Sequence, residues 1–211
     1  MTKESLDDLW GKFRNNELEE VVNEVKELIE DDNLSNRSEA LKLLGLSYFR
    51  LGKYDLAEQV FIEQTKDSKN SDDWFNLITS STLNKNFELS DKAYQKAVEF
   101  YHKNGTEENI PIPQMCYYYM QGLRDAKEYQ RAFIQLETLK KFYCTLVITD
   151  DTFLHMRGIP FLSHTMRASK EILENTDKEK VRKFIDEFKN KIDDDGKEYL
   201  SEFEETINYS S

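Results

Sequence analysis

Apolar side chains return every three or four positions along almost the whole chain, the period of an amphipathic α-helix. Leu6, Leu9, Trp10 and Phe13 form one stripe. Leu18, Val21, Val22, Val25, Leu28 and Ile29 form the next, with Asn15-Asn16 as a tight turn between them. Leu41, Leu44, Gly45 and Tyr48 predict a third helix, and Tyr54, Ala57, Val60 and Phe61 a fourth. Further on, Trp74, Leu77, Ile78 and Ser81 precede Phe87, Ser90, Tyr94 and Ala97. Cys116, Tyr119, Met120 and Leu123 precede Tyr129, Ala132, Leu136 and Leu139 in the same way. The predicted helices come in pairs joined by short polar turns.

Small residues and breakers sharpen the pattern. Gly45 costs helix propensity, so its place inside a helix predicts the close approach of a neighbour. Gly52, in Leu51-Gly52-Lys53, reads as the left-handed residue that ends that helix. Ala57 lies where the two helices should cross. Asn36-Arg37-Ser38-Glu39 has the form of a cap, and Thr176-Asp177-Lys178-Glu179 that of a capping box. Phe142 to Met156 is apolar-rich and fits helix or extended chain, and Arg157-Gly158-Ile159-Pro160 breaks any helix. A helix from Phe161 to Glu174 follows, then one carrying Val181, Phe184, Ile185, Phe188 and Ile192 that Asp193 to Gly196 should end. Tyr199, Leu200, Phe203 and Ile207 mark a last helix.

The stretch Leu41 to Phe61, with its large, small and aromatic positions, resembles the tetratricopeptide repeat (TPR), a helix–turn–helix unit of about 34 residues. It departs from that pattern at Gln64 and Lys69. The next unit keeps Ser90 and Ala97 but has Ile78 at a small position. Tyr129 lies 42 residues after Phe87, and the surplus is assigned to a loop insertion over His102 to Pro113, where Pro113 suits a first helical turn. The resemblance implies an all-α, right-handed α-solenoid of antiparallel helix pairs, a TPR-like superhelix with C-terminal capping helices. One domain would cover residues 1–211. It would hold a degenerate pair at 1–35, repeat units at 36–70, 71–103 and 113–147, and a helical cap at 148–211.

Composition agrees with long solvated helices. Seven Gly, three Pro and 33% charged residues leave too few turns for a β-sandwich. The net charge of −12 is uneven: residues 1–35 carry 4 basic and 11 acidic side chains, and residues 176–211 carry 7 and 11. Between them, residues 36–110 have 10 and 12, and residues 111–175 have 8 and 7. Without a basic stripe for phosphates, nucleic acid is not an expected partner. Cys116 and Cys144 read as buried free thiols. The acidic N-terminus lacks the apolar core of a signal peptide, and the longest uncharged apolar run, Phe142 to Thr149, is too short for a bilayer. A cytoplasmic protein with no membrane partner is expected.

Chemistry is sparse. His102, His155 and His164 have no second His or Cys at ligand spacing, although the last two flank the Gly158–Pro160 break and could converge. Asp193, Asp195, Gly196 and Glu202 partly mimic a calcium loop, but Lys191 and Glu198 stand at two of its defining places. There is no phosphate-cradling Gly loop and no Gly-x-Ser-x-Gly elbow. The expectation is a protein that is not an enzyme and has no cofactor and no metal.

In the resembled family the first helix of each pair lines a concave groove, and the positions between core residues point into it. Carried onto this chain, that implies Glu39, Lys42, Leu46, Phe49 and Arg50, then Asp72, Phe75, Thr79, Thr82 and Leu83, then Gln114, Tyr117, Gln121, Arg124 and Asp125. Lys42, Leu46, Phe49, Phe75, Thr79, Tyr117, Gln121 and Arg124 are the candidate residues for binding a protein or peptide segment, and the aromatics with Lys42 and Arg124 suit an extended or helical peptide with an acidic or C-terminal carboxylate group. Only Lys42 and Asn76 match the clamp by which some relatives hold heat-shock chaperones; Leu46, Gln114 and Tyr118 do not. The expected function is a binding scaffold or adaptor. The alternative is a small acidic chaperone or immunity-type protein that sequesters a basic partner. In a competing arrangement, the 102–113 loop or the C-terminal helices fold back and fill the groove.

Overall fold

The computed structural model describes residues 3–30 and 36–208, and among these it is all-helical, with twelve helices and no strand. The chain forms two compact units, Met1–Asn109 and Ile110–Ser211. The first contains α1 (Lys3–Arg14), α2 (Leu18–Ile29), α3 (Arg37–Arg50), α4 (Tyr54–Thr65), α5 (Ser71–Leu83) and α6 (Phe87–Asn104). The second contains α7 (Ile112–Asp125), α8 (Tyr129–Leu146), α9 (Asp151–Met156), α10 (Leu162–Glu174), α11 (Lys178–Lys189) and α12 (Asp194–Glu205). No helix of the described residues is long and apolar enough to cross a membrane.

In the first unit each helix packs on the one before it, and α3 also touches α1 while α5 touches α3. The core follows the apolar stripes: Leu9, Val21, Val25, Leu43, Phe61, Leu77, Ile78 and Ala97 are buried. Ala57 and Ser90 are fully buried, as small residues at helix crossings should be. At Gly45 an added Cβ would lie within 2.9 Å of three atoms of the Phe61 ring. The missing side chain is what lets α3 and α4 close on that ring.

The second unit repeats this and then departs. Helices α7 and α8 pair, and α10 packs against both of them. Helix α11 touches α8, α10 and α12. Tyr143, fully buried on α8, donates to Pro160 O at 2.7 Å and pairs with Thr165 Oγ1 at 2.8 Å. Its phenol is pushed well above the ordinary range by burial. The bond to Pro160 ties α8 to the chain break predicted at 157–160, where Gly158 is left-handed.

A common turn joins the paired helices. Asn16, Gly52, Lys85 and Lys127 all have φ between 62° and 71°, at spacings of 36, 33 and 42 residues. In each, the left-handed residue donates to the carbonyl three before it: Phe13, Phe49, Thr82 and Arg124. The following residue donates to the carbonyl five before it: Lys12, Tyr48, Ser81 and Leu123. This is the 6→1 closure of a Schellman motif, which satisfies carbonyls that a helix end leaves open. Lys has no preference for the left-handed region. Replacing Lys85 or Lys127 by Gly is therefore expected to raise stability by about 0.5–1 kcal/mol, and Gly52→Ala to lower it by about 1 kcal/mol. Urea midpoints would show it; a loss in both Lys variants would contradict the strain.

Several local expectations are corrected. The surplus in the third pair is partly helix, because α6 runs on to Asn104 before the loop begins. Asn36 makes no side-chain cap bond; Arg37 instead donates from Nη1 to Ile29 O at 2.5 Å and from Nη2 to Glu63 Oε1 at 2.8 Å. In the predicted capping box the cap is Asp177, accepting from the N–H groups of Glu179 and Lys180, while Thr176 Oγ1 turns back to Ile172 O at 2.8 Å. The segment from Phe142 is helical as far as Leu146, and α9 begins at Asp151. Helix α11 ends at Lys189, so Asp193 caps the start of α12 rather than closing the helix before it. With Asp194 to Gly196 already helical, no calcium loop exists there.

Candidate binding faces

In the first unit, Lys42, Leu46 and Phe49 lie on α3, and Phe75 and Thr79 on α5. All five are half-buried. The Phe49 ring meets Tyr54 edge-on at 5.5 Å, so it is braced across the turn of its own pair. Thr79 Oγ1 donates to Asn76 O at 2.9 Å. Other members of the implied set are drawn into the fold by α1. Glu39 accepts from Trp10 Nε1 at 2.9 Å, and the Arg50 guanidinium lies 4.0 Å from the Phe13 ring centre while donating to Phe13 O. A cation over a ring in this way is attracted by the negative ring face.

Beneath this face is a buried polar network. Asp73 Oδ1 accepts from Gln64 Nε2 at 2.9 Å, and Oδ2 accepts from Ser68 Oγ at 2.6 Å. Burial raises the Asp73 carboxyl above the usual range, against the pull of Ser68 and the Lys42 charge. The Lys42 charge thus acts on an acid of its own fold. Glu58 on α4 is also buried; its Oε1 accepts from Asn84 and Asn86 of the α5–α6 turn, at 3.1 and 3.3 Å. The carboxylate holds that turn against α4 and so fixes how successive pairs stack.

The loop after α6 docks at the start of α5. Asn109 Nδ2 donates to Asn70 Oδ1 at 3.0 Å, and Asn70 in turn caps Asp72 N–H. The insertion thus covers the end of α5 next to Asp72.

In the second unit Tyr117, Gln121 and Arg124 share α7 and are half-buried. Arg124 is committed to the fold: Nη1 donates to Ala168 O on α10 at 2.9 Å, and Nε and Nη2 donate to Asp125 Oδ1 at 2.9 and 2.6 Å. It positions α10 rather than standing ready for a ligand. The Tyr117 ring lies 5.6 Å from that of Tyr118. Burial raises the Tyr117 phenol, assisted by Tyr118, while Arg124 and Arg167 oppose the rise.

Arg167, on α10, was outside the implied set, as were Tyr118 on α7 and Tyr199 on α12. In the sequence, residues 148–211 read as a cap, and nothing in that pattern marks a ligand face on α10. Its buried positions Leu162, Thr165, Met166, Ser169, Ile172 and Leu173 carried the helical signal; what it packs against they could not show. His155 and His164 do approach a common neighbour, with rings 6.4 and 5.1 Å from that of Phe161. Among the described residues, no three His, Cys, Asp or Glu side chains are grouped to hold a metal.

Three clefts of about 360, 460 and 440 Å³ lie away from the eight candidate residues. The first is at the start of α3 and the end of α4, the second between the start of α5 and the 104–109 loop, and the third between α8 and α11. Their mouths mix both charges, as in Glu137, Lys180, Lys183 and Glu187 around the exposed Ile134.

No protein-family model matches the chain, and no curated protein or solved structure matches it.

Proposed function

We propose that this protein is a non-enzymatic scaffold that binds a protein or peptide segment on faces built by TPR-like helix pairs. The observation that carries the reading is the same left-handed turn, with the same two hydrogen bonds, at Asn16, Gly52, Lys85 and Lys127. A turn repeated between the helices of four successive pairs is what a scaffold of stacked helix-pair repeats requires. Packing within each unit supports it: α3 rests on both helices of the pair before it, and so do α5 and α10. Within each unit, such stacking leaves some outer side chains of the first helices half-buried rather than in the core. Phe49, Phe75 and Tyr117 are aromatic at those positions and half-buried, the state of residues that gain area when a partner covers them.

The test is a triple variant, Phe49→Ala, Phe75→Ala and Tyr117→Ala, in affinity purification from the native cell. Partner recovery is expected to drop by at least about tenfold, since interface aromatics each contribute on the order of 1–2 kcal/mol or more. Unchanged recovery would count against these faces. Recovery that instead collapses with moderate salt and ignores the aromatics would favour the sequestering alternative, in which the acidic ends hold a basic partner.

A further inference from the structure

The second unit carries a cationic, aromatic surface in a chain whose net charge is −12. Three elements build it. Tyr117 and Tyr118 come from α7, His164 and Arg167 from α10, and Tyr199 from α12. Arg167 Nε and the Tyr199 hydroxyl donate to one carbonyl, Ser163 O, at 3.2 and 3.3 Å, which places the guanidinium beside the phenol. Arg124 reaches the same stretch of α10 from the α7 side through Ala168 O. Arg167, His164 and Tyr118 are exposed, while Tyr117 and Tyr199 are half-buried.

Arginines are the charged groups that act on the two half-buried phenols. Arg124 and Arg167 act on Tyr117 and Arg167 acts on Tyr199, with no Asp or Glu among the groups that do. The acid that α7 does supply, Asp125, is bound to Arg124. Among the described residues no carboxylate forms an ion pair with Arg167, in contrast to Lys140 with Glu187 or Lys189 with Glu204 in the same unit. An exposed guanidinium without an acid, next to aromatic rings that can accept apolar contact, is the composition of an interface hot spot. Its field attracts anions and repels cations.

We infer that the surface formed by Tyr117, Tyr118, His164, Arg167 and Tyr199 docks an acidic peptide segment, with Arg167 taking a carboxylate and the tyrosines flanking the chain. This rests on the reading of the protein as a peptide-binding scaffold and assigns the charge of the ligand and the residue that selects it. The position differs from the clamp matched by Lys42 and Asn76, because its selecting cation stands on α10, beyond the last recognisable repeat.

The experiment measures fluorescence anisotropy of a labelled Glu-Gly repeat peptide on the full chain, with a Lys-Gly repeat peptide as counterpart. Arg167→Glu is compared with Arg182→Glu, an equal charge reversal at an exposed arginine of α11 that acts on neither tyrosine. The acidic peptide should bind, and Arg167→Glu should weaken it at least about tenfold while Arg182→Glu changes it less than about twofold. Both variants are exposed substitutions, and circular dichroism checks that each remains helical. Equal losses in the two variants, no loss in either, or preference for the Lys-Gly peptide would each overturn the inference. So would tighter binding of a single-stranded RNA oligomer than of the acidic peptide. A cellular partner that requires Phe49 and Phe75 but is indifferent to Arg167→Glu would overturn this inference and leave the scaffold reading standing.

Discussion

Gly45→Ala is expected to destabilise the protein by about 2–3 kcal/mol, although Ala is the better helix former by about 1 kcal/mol. The added Cβ would fall within 2.9 Å of three atoms of the Phe61 ring, closer than carbon atoms pack. The ring cannot swing away easily because Phe61 is fully buried, with Leu43 and Ala57 also fully buried in the same helix pair. Either α3 and α4 separate or the ring leaves its rotamer, and both loosen the α3–α4 pair. Chemical denaturation of the single variant reads the loss. A second variant, Gly45→Ala with Phe61→Leu, should cost less than the two single changes added together, by about 1 kcal/mol, because Leu removes the atoms that collide. If Gly45→Ala proved as stable as the parent, the close approach would not be what the glycine is for.

Asp193→Ala is expected to cost about 2–4 kcal/mol, because one carboxylate serves three donors and a helix start. Oδ2 accepts from Thr149 N–H at 2.7 Å, and Oδ1 accepts from Thr149 Oγ1 at 2.5 Å and from Gly196 N–H at 3.1 Å. The Asp193 backbone N–H also donates to Val147 O at 2.9 Å. Together these bonds clasp the segment after α8 to the N-terminus of α12. They also hold Val147 at φ 67°, an uncommon conformation for a β-branched residue. Partial burial opposes ionisation of Asp193, but the bonds from Thr149 and Gly196 outweigh it and keep the carboxyl below its ordinary range. The sign follows by linkage: a carboxyl whose folded pKa is depressed stabilises above its unfolded value and loses that contribution as pH falls through the folded one. The parent should therefore lose stability on acidification below about pH 4, and Asp193→Ala should lose less over the same range. Thermal midpoints at neutral and acid pH compare the two. Parallel pH profiles would show that the clasp is not carried by the ionised carboxylate.

How much of this was legible beforehand differs from element to element. The helices were written in the apolar period, and Gly45, Gly52 and Ala57 announced the close pair around Phe61, because a local pattern and a local packing need coincide there. The turns at Lys85 and Lys127 were not announced. Lysine has no left-handed preference, and the conformation comes from carbonyls of the preceding helix that must be satisfied once the pair closes. Asp193 looked like a helix stop, since its main partner Thr149 lies 44 residues away. Of the candidate binding residues, Arg124 was read as a ligand cation. Its commitment to Ala168 O, again 44 residues distant, could not be seen from spacing. Arg167 gives no signal in the sequence, and Tyr199 reads only as part of the last helix's apolar stripe, until α12 brings the Tyr199 hydroxyl to the α10 carbonyl that Arg167 also meets.

The sequence by itself determined that the chain is helical and which apolar positions recur along its helices. Those properties depend on side-chain periodicity and on bonds a few residues long. Only the tertiary structure decided which polar side chains are spent inside the fold and which are left to meet a partner. A charged group's availability depends on whether an opposite charge or an open carbonyl is brought beside it, and those neighbours come from other helices. Hence Glu39, Arg50 and Arg124 became parts of the framework, while Arg167 did not acquire an acid.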